Sequence, residues 1–65
     1  MKLKILETTD GKYEGETIDV DVLSTIGSTI NHKGTSFEVQ EIKMKGNYIT
    51  FYCANYVVLV KVVGE

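Results

Sequence analysis

The chain has few of the residues that cross-link or stiffen a small protein. Its 65 residues include one cysteine, Cys53, and no proline. A single cysteine excludes an internal disulfide and any zinc site built from several cysteines. It also fits a reducing compartment, so the sequence predicts a cytoplasmic protein. Because so small a domain buries little surface, oligomerisation is the remaining common means of stabilising it.

Arginine is absent as well: all seven basic residues are lysines, against nine acidic residues, and the net charge is −2. Arginine is the side chain best suited to bidentate contacts with guanine and phosphate. Its absence makes sequence-specific DNA reading unfavourable but leaves weaker nucleic-acid binding open. Long apolar runs are missing too, since Lys61 interrupts the one near the C-terminus. No membrane association is therefore predicted.

What the chain does contain is β-strand patterning. Residues 48–63 are the richest in aromatic and β-branched types, which favour strands, and Asn55 divides them into two strands. Alternating apolar and polar residues predict earlier strands over residues 2–7, 17–23 and 36–45. Turn signals separate them at residues 10–11, 31–34 and 46–47, and residues 24–29 form a hydroxyl-rich connection around Gly27.

The strand that begins at Ser36 changes parity along its length. Phe37 and Val39 are odd-numbered, whereas Ile42 and Met44 are even-numbered. Because side chains alternate between the two faces of a strand, a regular strand cannot place all four on one side. A β-bulge or sharp bend near residues 40–41 is the simplest remedy.

Five or six short strands, with no repeat, no linker and no helix longer than one turn, predict an all-β fold. The spacing of the turns predicts a single small domain over residues 1–65, built as a five- to six-stranded SH3-like barrel. An OB-like barrel is the alternative, although the chain is short for one.

No catalytic group stands out. His32, the only histidine, lies in a predicted turn, which indicates an exposed residue rather than an acid, a base or a metal ligand. Cys53 shares a strand face with Ile49 and Phe51, which predicts a buried, inert thiol rather than a nucleophile. We therefore predict no enzyme activity, no cofactor and no metal site.

A cluster of carboxylates is the densest charge feature of the sequence. Its spacing fits no calcium loop. A solvated strand face explains the cluster without any function, and a surface for a basic protein partner is the functional alternative. The predicted acidic face consists of Glu14, Glu16, Asp19 and Asp21.

The last strand is apolar on both faces, although a single-layer barrel normally buries only one. An exposed apolar strip that pairs with a second copy or another protein explains this pattern. Our first hypothesis is accordingly a small, self-associating interaction or regulatory protein, such as an inhibitor or accessory subunit of viral or mobile-element origin. Its predicted interface consists of Tyr48, Tyr52, Tyr56, Val58, Val60 and Val62.

Two alternatives come from other classes. Lysines interleaved with aromatic residues suit a single-stranded nucleic-acid surface, and the candidates are Lys43, Lys45, Tyr48 and Tyr52. Dilution by neighbouring glutamates makes this the weaker hypothesis. The other alternative is a small-ligand binder whose pocket forms between subunits, lined by tyrosines and the Ser/Thr-rich connection.

Overall fold

A computed structural model describes residues 1–21 and 26–64, and these residues contain one six-stranded antiparallel sheet and no helix. The strands are β1 (Lys2–Thr8), β2 (Thr17–Asp19), β3 (Thr29–His32), β4 (Thr35–Lys45), β5 (Tyr48–Cys53) and β6 (Tyr56–Gly64). Their order across the sheet is β2-β1-β6-β5-β4-β3, and the sheet curves into a nearly closed barrel. The predicted all-β small barrel is confirmed, and it is compatible with both the SH3-like and the OB-like descriptions.

The core is formed by the inward-facing residues of all six strands. β6 lies at the centre of the sheet, where Val60 is opposite Ile5 on one side and Ile49 on the other. All three are at most 1% exposed. The buried apolar residues are Leu3, Ile5, Ile18, Ile30, Phe37, Val39, Ile49, Phe51, Val58 and Val60.

The predicted irregularity in β4 is present. Val39 pairs with Cys53 and Glu41 with Tyr52, so Gln40 is an extra residue without a counterpart on β5. After this bulge Ile42 packs against the core as predicted, whereas Met44, which was expected on the same face, is 61% exposed. It lies near the start of the segment that pairs with β5, just after the residues that pair with β3.

The connection between β3 and β4 is tighter than predicted. Asn31 and His32 belong to β3, and only Lys33 and Gly34 form the turn. Both turn residues have positive φ, 49° and 81°, as a two-residue type I′ hairpin requires. The predicted four-residue turn is therefore wrong, and the difference places His32 in the sheet.

The second strand is shorter than the predicted 17–23 segment, since β2 ends at Asp19. Residues 22 and 23 of that prediction, and residues 24 and 25 of the predicted connection, lie outside the described residues. Within residues 1–21 and 26–64 we find no helix with the length and apolar character needed to cross a bilayer.

Candidate functional site

A row of basic and aromatic side chains crosses the outer face of the barrel. Lys4 of β1 lies opposite Lys61 of β6. Lys61 in turn lies opposite Tyr48 of β5, which lies opposite Lys45 of β4. The residues that alternate with Lys4, Lys61 and Tyr48 face the core, so these side chains face outward, and Lys45 shares their face because it lies opposite Tyr48. We call Lys4, Lys61, Tyr48 and Lys45 the basic row.

Two further residues, Lys43 and Tyr52, extend the row along the strands. The Nζ atom of Lys43 lies 5.5 Å from the centre of the Tyr52 ring, and that of Lys61 lies 5.8 Å from the Tyr48 ring. Both distances are within the range of cation–π attraction. Tyr48 is 48% exposed, and an open groove of about 470 Å³ runs beside the two rings. The basic row with Lys43 and Tyr52 is the lysine–tyrosine face.

The lysines of this face are not neutralised by direct ion pairs with the other described residues. Among the ion pairs of the described residues, none involves a lysine of the lysine–tyrosine face. Lys4 and Lys61 are direct cross-strand neighbours, an arrangement of like charges that destabilises a sheet. An anion bound between them would relieve that repulsion.

The basic character is confined to one end of the outer sheet surface. Beyond the basic row, the outer face carries carboxylates. Glu7 lies opposite Leu59, and Glu41 lies opposite Tyr52. The positive charge is therefore concentrated around Lys4, Lys45 and Lys61.

The structure brings together the four residues predicted as a nucleic-acid surface, because β4 and β5 are neighbours in the sheet and Lys45 pairs with Tyr48. Lys4 and Lys61 were missed. Each lies between apolar residues of its strand, and this alternation shows that it faces away from the core. Only the pairing of β1 with β6 places Lys4 and Lys61 on the same surface as Tyr48. That pairing joins opposite ends of the chain and leaves no local signal in the sequence.

The predicted acidic face is partly neutralised within the chain. One oxygen of Glu16, Oε1, accepts hydrogen bonds from His32 Nε2 and Lys33 Nζ, each at 2.8 Å. Asp19 pairs with the N-terminal amine of Met1 at 3.1 Å. Glu14 and Asp21 are exposed, in the β1–β2 loop and after β2 respectively.

His32 is not the exposed turn residue that the sequence predicts. Its side chain is 14% exposed. Its ring lies 5.3 Å from that of Tyr13 in an edge-to-face contact. Together with the bond to Glu16, this contact fixes the β1–β2 loop against the β3–β4 hairpin. The side chain therefore has a structural role.

Cys53 is partly buried at the end of β5 and packs against the core. Burial raises the pKa of its thiol, which disfavours the thiolate. The sequence predicts a buried thiol, and the structure shows one that is partly buried.

The predicted apolar interface needs correction, because its residues divide between the two faces of the sheet. Val58 and Val60 are 3% and 0% exposed and belong to the core, so neither can contact a partner. Val62 and Tyr56 pack against the core from the same side. Only Tyr48 and Tyr52 of this set lie on the outer face. The exposed valines of β6 are instead Val57 and Val63.

Within residues 1–21 and 26–64, no three His, Cys, Asp or Glu side chains are grouped to hold a metal ion. Comparison of the chain with protein-family models, with curated proteins and with solved structures finds no match. The lysine–tyrosine face is therefore interpreted from its own geometry.

Proposed function

We propose that this chain is a non-enzymatic binding module whose lysine–tyrosine face holds a single-stranded nucleic acid. The observation that carries the proposal is the basic row, in which three lysines and an exposed tyrosine lie in register across four strands, and these lysines make no ion pair among the described residues. Phosphate binding depends on concentrated positive charge, and single-stranded binding adds stacking of bases on aromatic rings.

The dimensions of the basic row suit a short strand. Neighbouring strands of a sheet are about 4.8 Å apart, so four of them span roughly 14 Å. At about 3.4 Å per stacked nucleotide, this length corresponds to roughly four nucleotides. Small barrels that bind single strands have site sizes of about 4–16 nucleotides.

The absence of arginine determines the kind of binding we expect. Lysine acts as a point charge and does not present the planar fork that reads a guanine edge. Stacking on tyrosine is tolerant of base identity. The proposed binding is therefore weak in sequence preference and strongly dependent on salt.

The proposal is tested by measuring the affinity for a labelled single-stranded oligothymidine of about twelve nucleotides by fluorescence anisotropy. Counterion release from a single strand gives a slope of about −0.7 per neutralised phosphate, hence about −2.8 for the four lysines of the face. Between about 50 and 200 mM salt the affinity then falls about 50-fold.

The double variant Lys45→Gln/Lys61→Gln reduces that slope by about 1.4. Lys12→Gln, which makes the same change of side chain away from the face, leaves the slope unchanged. Circular dichroism of each variant checks that the fold is retained. A salt slope near zero, or an equal loss in the Lys12→Gln control, contradicts the proposal.

A protein-binding role is the second proposal, and it rests on the exposed side of β6. Val57 is 38% exposed, and Leu59 follows it half-buried on the same side, whereas Lys61 separates this pair from Val63, which is 51% exposed. Exposed apolar side chains that adjoin one another favour contact with a partner or with a second copy.

Native mass spectrometry distinguishes this role from the first. If β6 mediates self-association, the wild-type chain appears as a dimer or larger assembly and Val57→Lys appears as a folded monomer. A wild-type monomer, or an assembly unchanged by Val57→Lys, contradicts self-association through β6.

A further inference from the structure

A second concave region lies away from the lysine–tyrosine face, between the β1–β2 loop, the first half of β4 and the β5–β6 turn. It encloses about 470 Å³, within the range of about 300–1,000 Å³ that is typical of small-molecule sites. Its walls combine aromatic rings with carboxylates: Tyr13, Phe37, Tyr56, Asp10 and Glu38. We call this region the aromatic cavity.

The aromatic walls are held by contacts on both sides. The rings of Phe37 and Tyr56 stack with centres 5.1 Å apart. Tyr13 meets Phe37 edge to face at 6.3 Å, and its hydroxyl shares a hydrogen bond with that of Thr35. Phe37 is 6% exposed, so the two half-buried tyrosines supply the ring surface open to the cavity. Ring faces carry partial negative charge and attract cations.

The carboxylate of Asp10 is oriented by three donors that all reach Oδ1. They are the Tyr56 hydroxyl, the Thr8 hydroxyl at 3.3 Å and the Lys12 amide at 3.0 Å. The bond from Tyr56, with smaller contributions from the others, lowers the pKa of Asp10, so the group stays ionised. Its second oxygen, Oδ2, receives no donor from the described residues.

Glu38 supplies the other negative charge of the cavity wall. It is exposed and takes part in none of the ion pairs found among the described residues. Lys12 also borders the cavity and carries the opposing charge. The lining thus carries two carboxylates against one ammonium group.

From this combination we infer that the aromatic cavity binds an organic ammonium cation. The rings attract the cation through their faces, and Asp10 and Glu38 attract it through charge. This site is independent of the proposed nucleic-acid surface, since it selects a ligand of the opposite charge through different residues.

Choline and its neutral isostere 3,3-dimethylbutan-1-ol provide a matched pair of probes for an NMR titration of the labelled protein. Choline shifts the amide signals of residues 10–13, 35–38 and 53–56 and saturates, whereas the isostere binds at least about fivefold more weakly. Equal saturable binding of both probes overturns the inference.

Three variants test the charge of the cavity wall. Glu38→Gln weakens choline binding about two- to fivefold, because an exposed charge contributes modestly. Lys12→Gln strengthens it by a similar factor, since the opposing charge is removed. Glu41→Gln, a matched change on the outer sheet face, has no effect. Equal affinity in all three variants contradicts the assignment of the carboxylates.

The ammonium group has two common sources, a free small molecule and the side chain of a lysine. Titration with Nα-acetyllysine methylamide separates them. Tighter binding of choline supports a free quaternary amine, and tighter binding of the lysine derivative supports a lysine side chain. Failure of both compounds to produce saturable shifts overturns the inference.

Discussion

At the scale of single residues, Glu16 links two parts of the chain that are distant in sequence. Its carboxylate accepts hydrogen bonds from the side chains of Lys33 and His32, which both belong to the β3–β4 hairpin. These bonds hold the β1–β2 loop in place. The bond from Lys33, followed by that from His32, lowers the pKa of Glu16 below its ordinary value of 4.5. A lowered pKa means that the folded state favours the ionised carboxylate.

This shift gives the stability of the protein a pH dependence. The contribution of Glu16 is fully present above pH 4.5 and is lost as the pH falls through the lower pKa of the folded state. Glu16→Gln therefore lowers the urea midpoint near neutral pH, and its difference from wild type shrinks in acid.

Glu14→Gln is the matched control, because Glu14 lies exposed in the same loop. Urea unfolding above pH 4.5 and well below it, followed by fluorescence, measures both differences. An equal loss in the two variants, or a Glu16→Gln difference that grows in acid, argues against the linkage.

At the scale of elements, the β3–β4 hairpin depends on the backbone conformation of its turn. Gly34 has φ of +81° with open space around its Cα, so any cost of adding a side chain there comes from the backbone alone. A left-handed conformation costs an ordinary residue about 1–2 kcal/mol.

Gly34→Ala is accordingly expected to lower the free energy of unfolding by about 1–2 kcal/mol. Gly64→Ala is the control, because Gly64 lies in β6 without a left-handed φ and a Cβ there meets only the Lys2 side chain, at 3.7 Å. It should be neutral or slightly stabilising. Chemical denaturation of both variants checks the prediction, which fails if the two behave alike.

The elements also show which features a sequence can reveal. The bulge at Gln40 was predictable because the change of parity lies within one strand, between Val39 and Ile42. The β4–β5 pairing was predictable because a short turn joins its strands. The position of His32 was not predictable. The composition of residues 31–34 indicates a turn, but it does not show that Lys33 and Gly34 alone form it.

The candidate site was predictable only in part, for a similar reason. Lys43, Lys45, Tyr48 and Tyr52 lie on two consecutive strands, so local alternation is enough to group them. Which face of β6 is buried depends on its two neighbours in the sheet. Since both faces of that strand are apolar, its sequence pattern could not show that Val58 is buried and Val57 is exposed.

At the scale of the whole molecule, the charges are unevenly distributed. Four of the seven lysines lie on the lysine–tyrosine face, although the net charge is −2. The protein is therefore expected to bind both an anion exchanger and phosphocellulose at pH 7 and low salt.

Replacing Lys45 and Lys61 by glutamine should abolish retention on phosphocellulose and strengthen retention on the anion exchanger. Replacing Lys12 and Lys33 by glutamine changes the net charge equally but leaves phosphocellulose binding in place. Elution salt concentrations measure both effects. Equal loss of phosphocellulose retention in the two double variants would mean that net charge alone governs binding.

The pairing of β1 with β6 has a consequence for the order of events on the ribosome. β1 is made first, but its central neighbour in the sheet is made last. Until β6 is made, β1 has only β2 beside it in the sheet, and an isolated two-stranded hairpin is marginally stable in water. Completion of the barrel therefore follows synthesis of β6, and until then one edge of β1 lacks its partner strand.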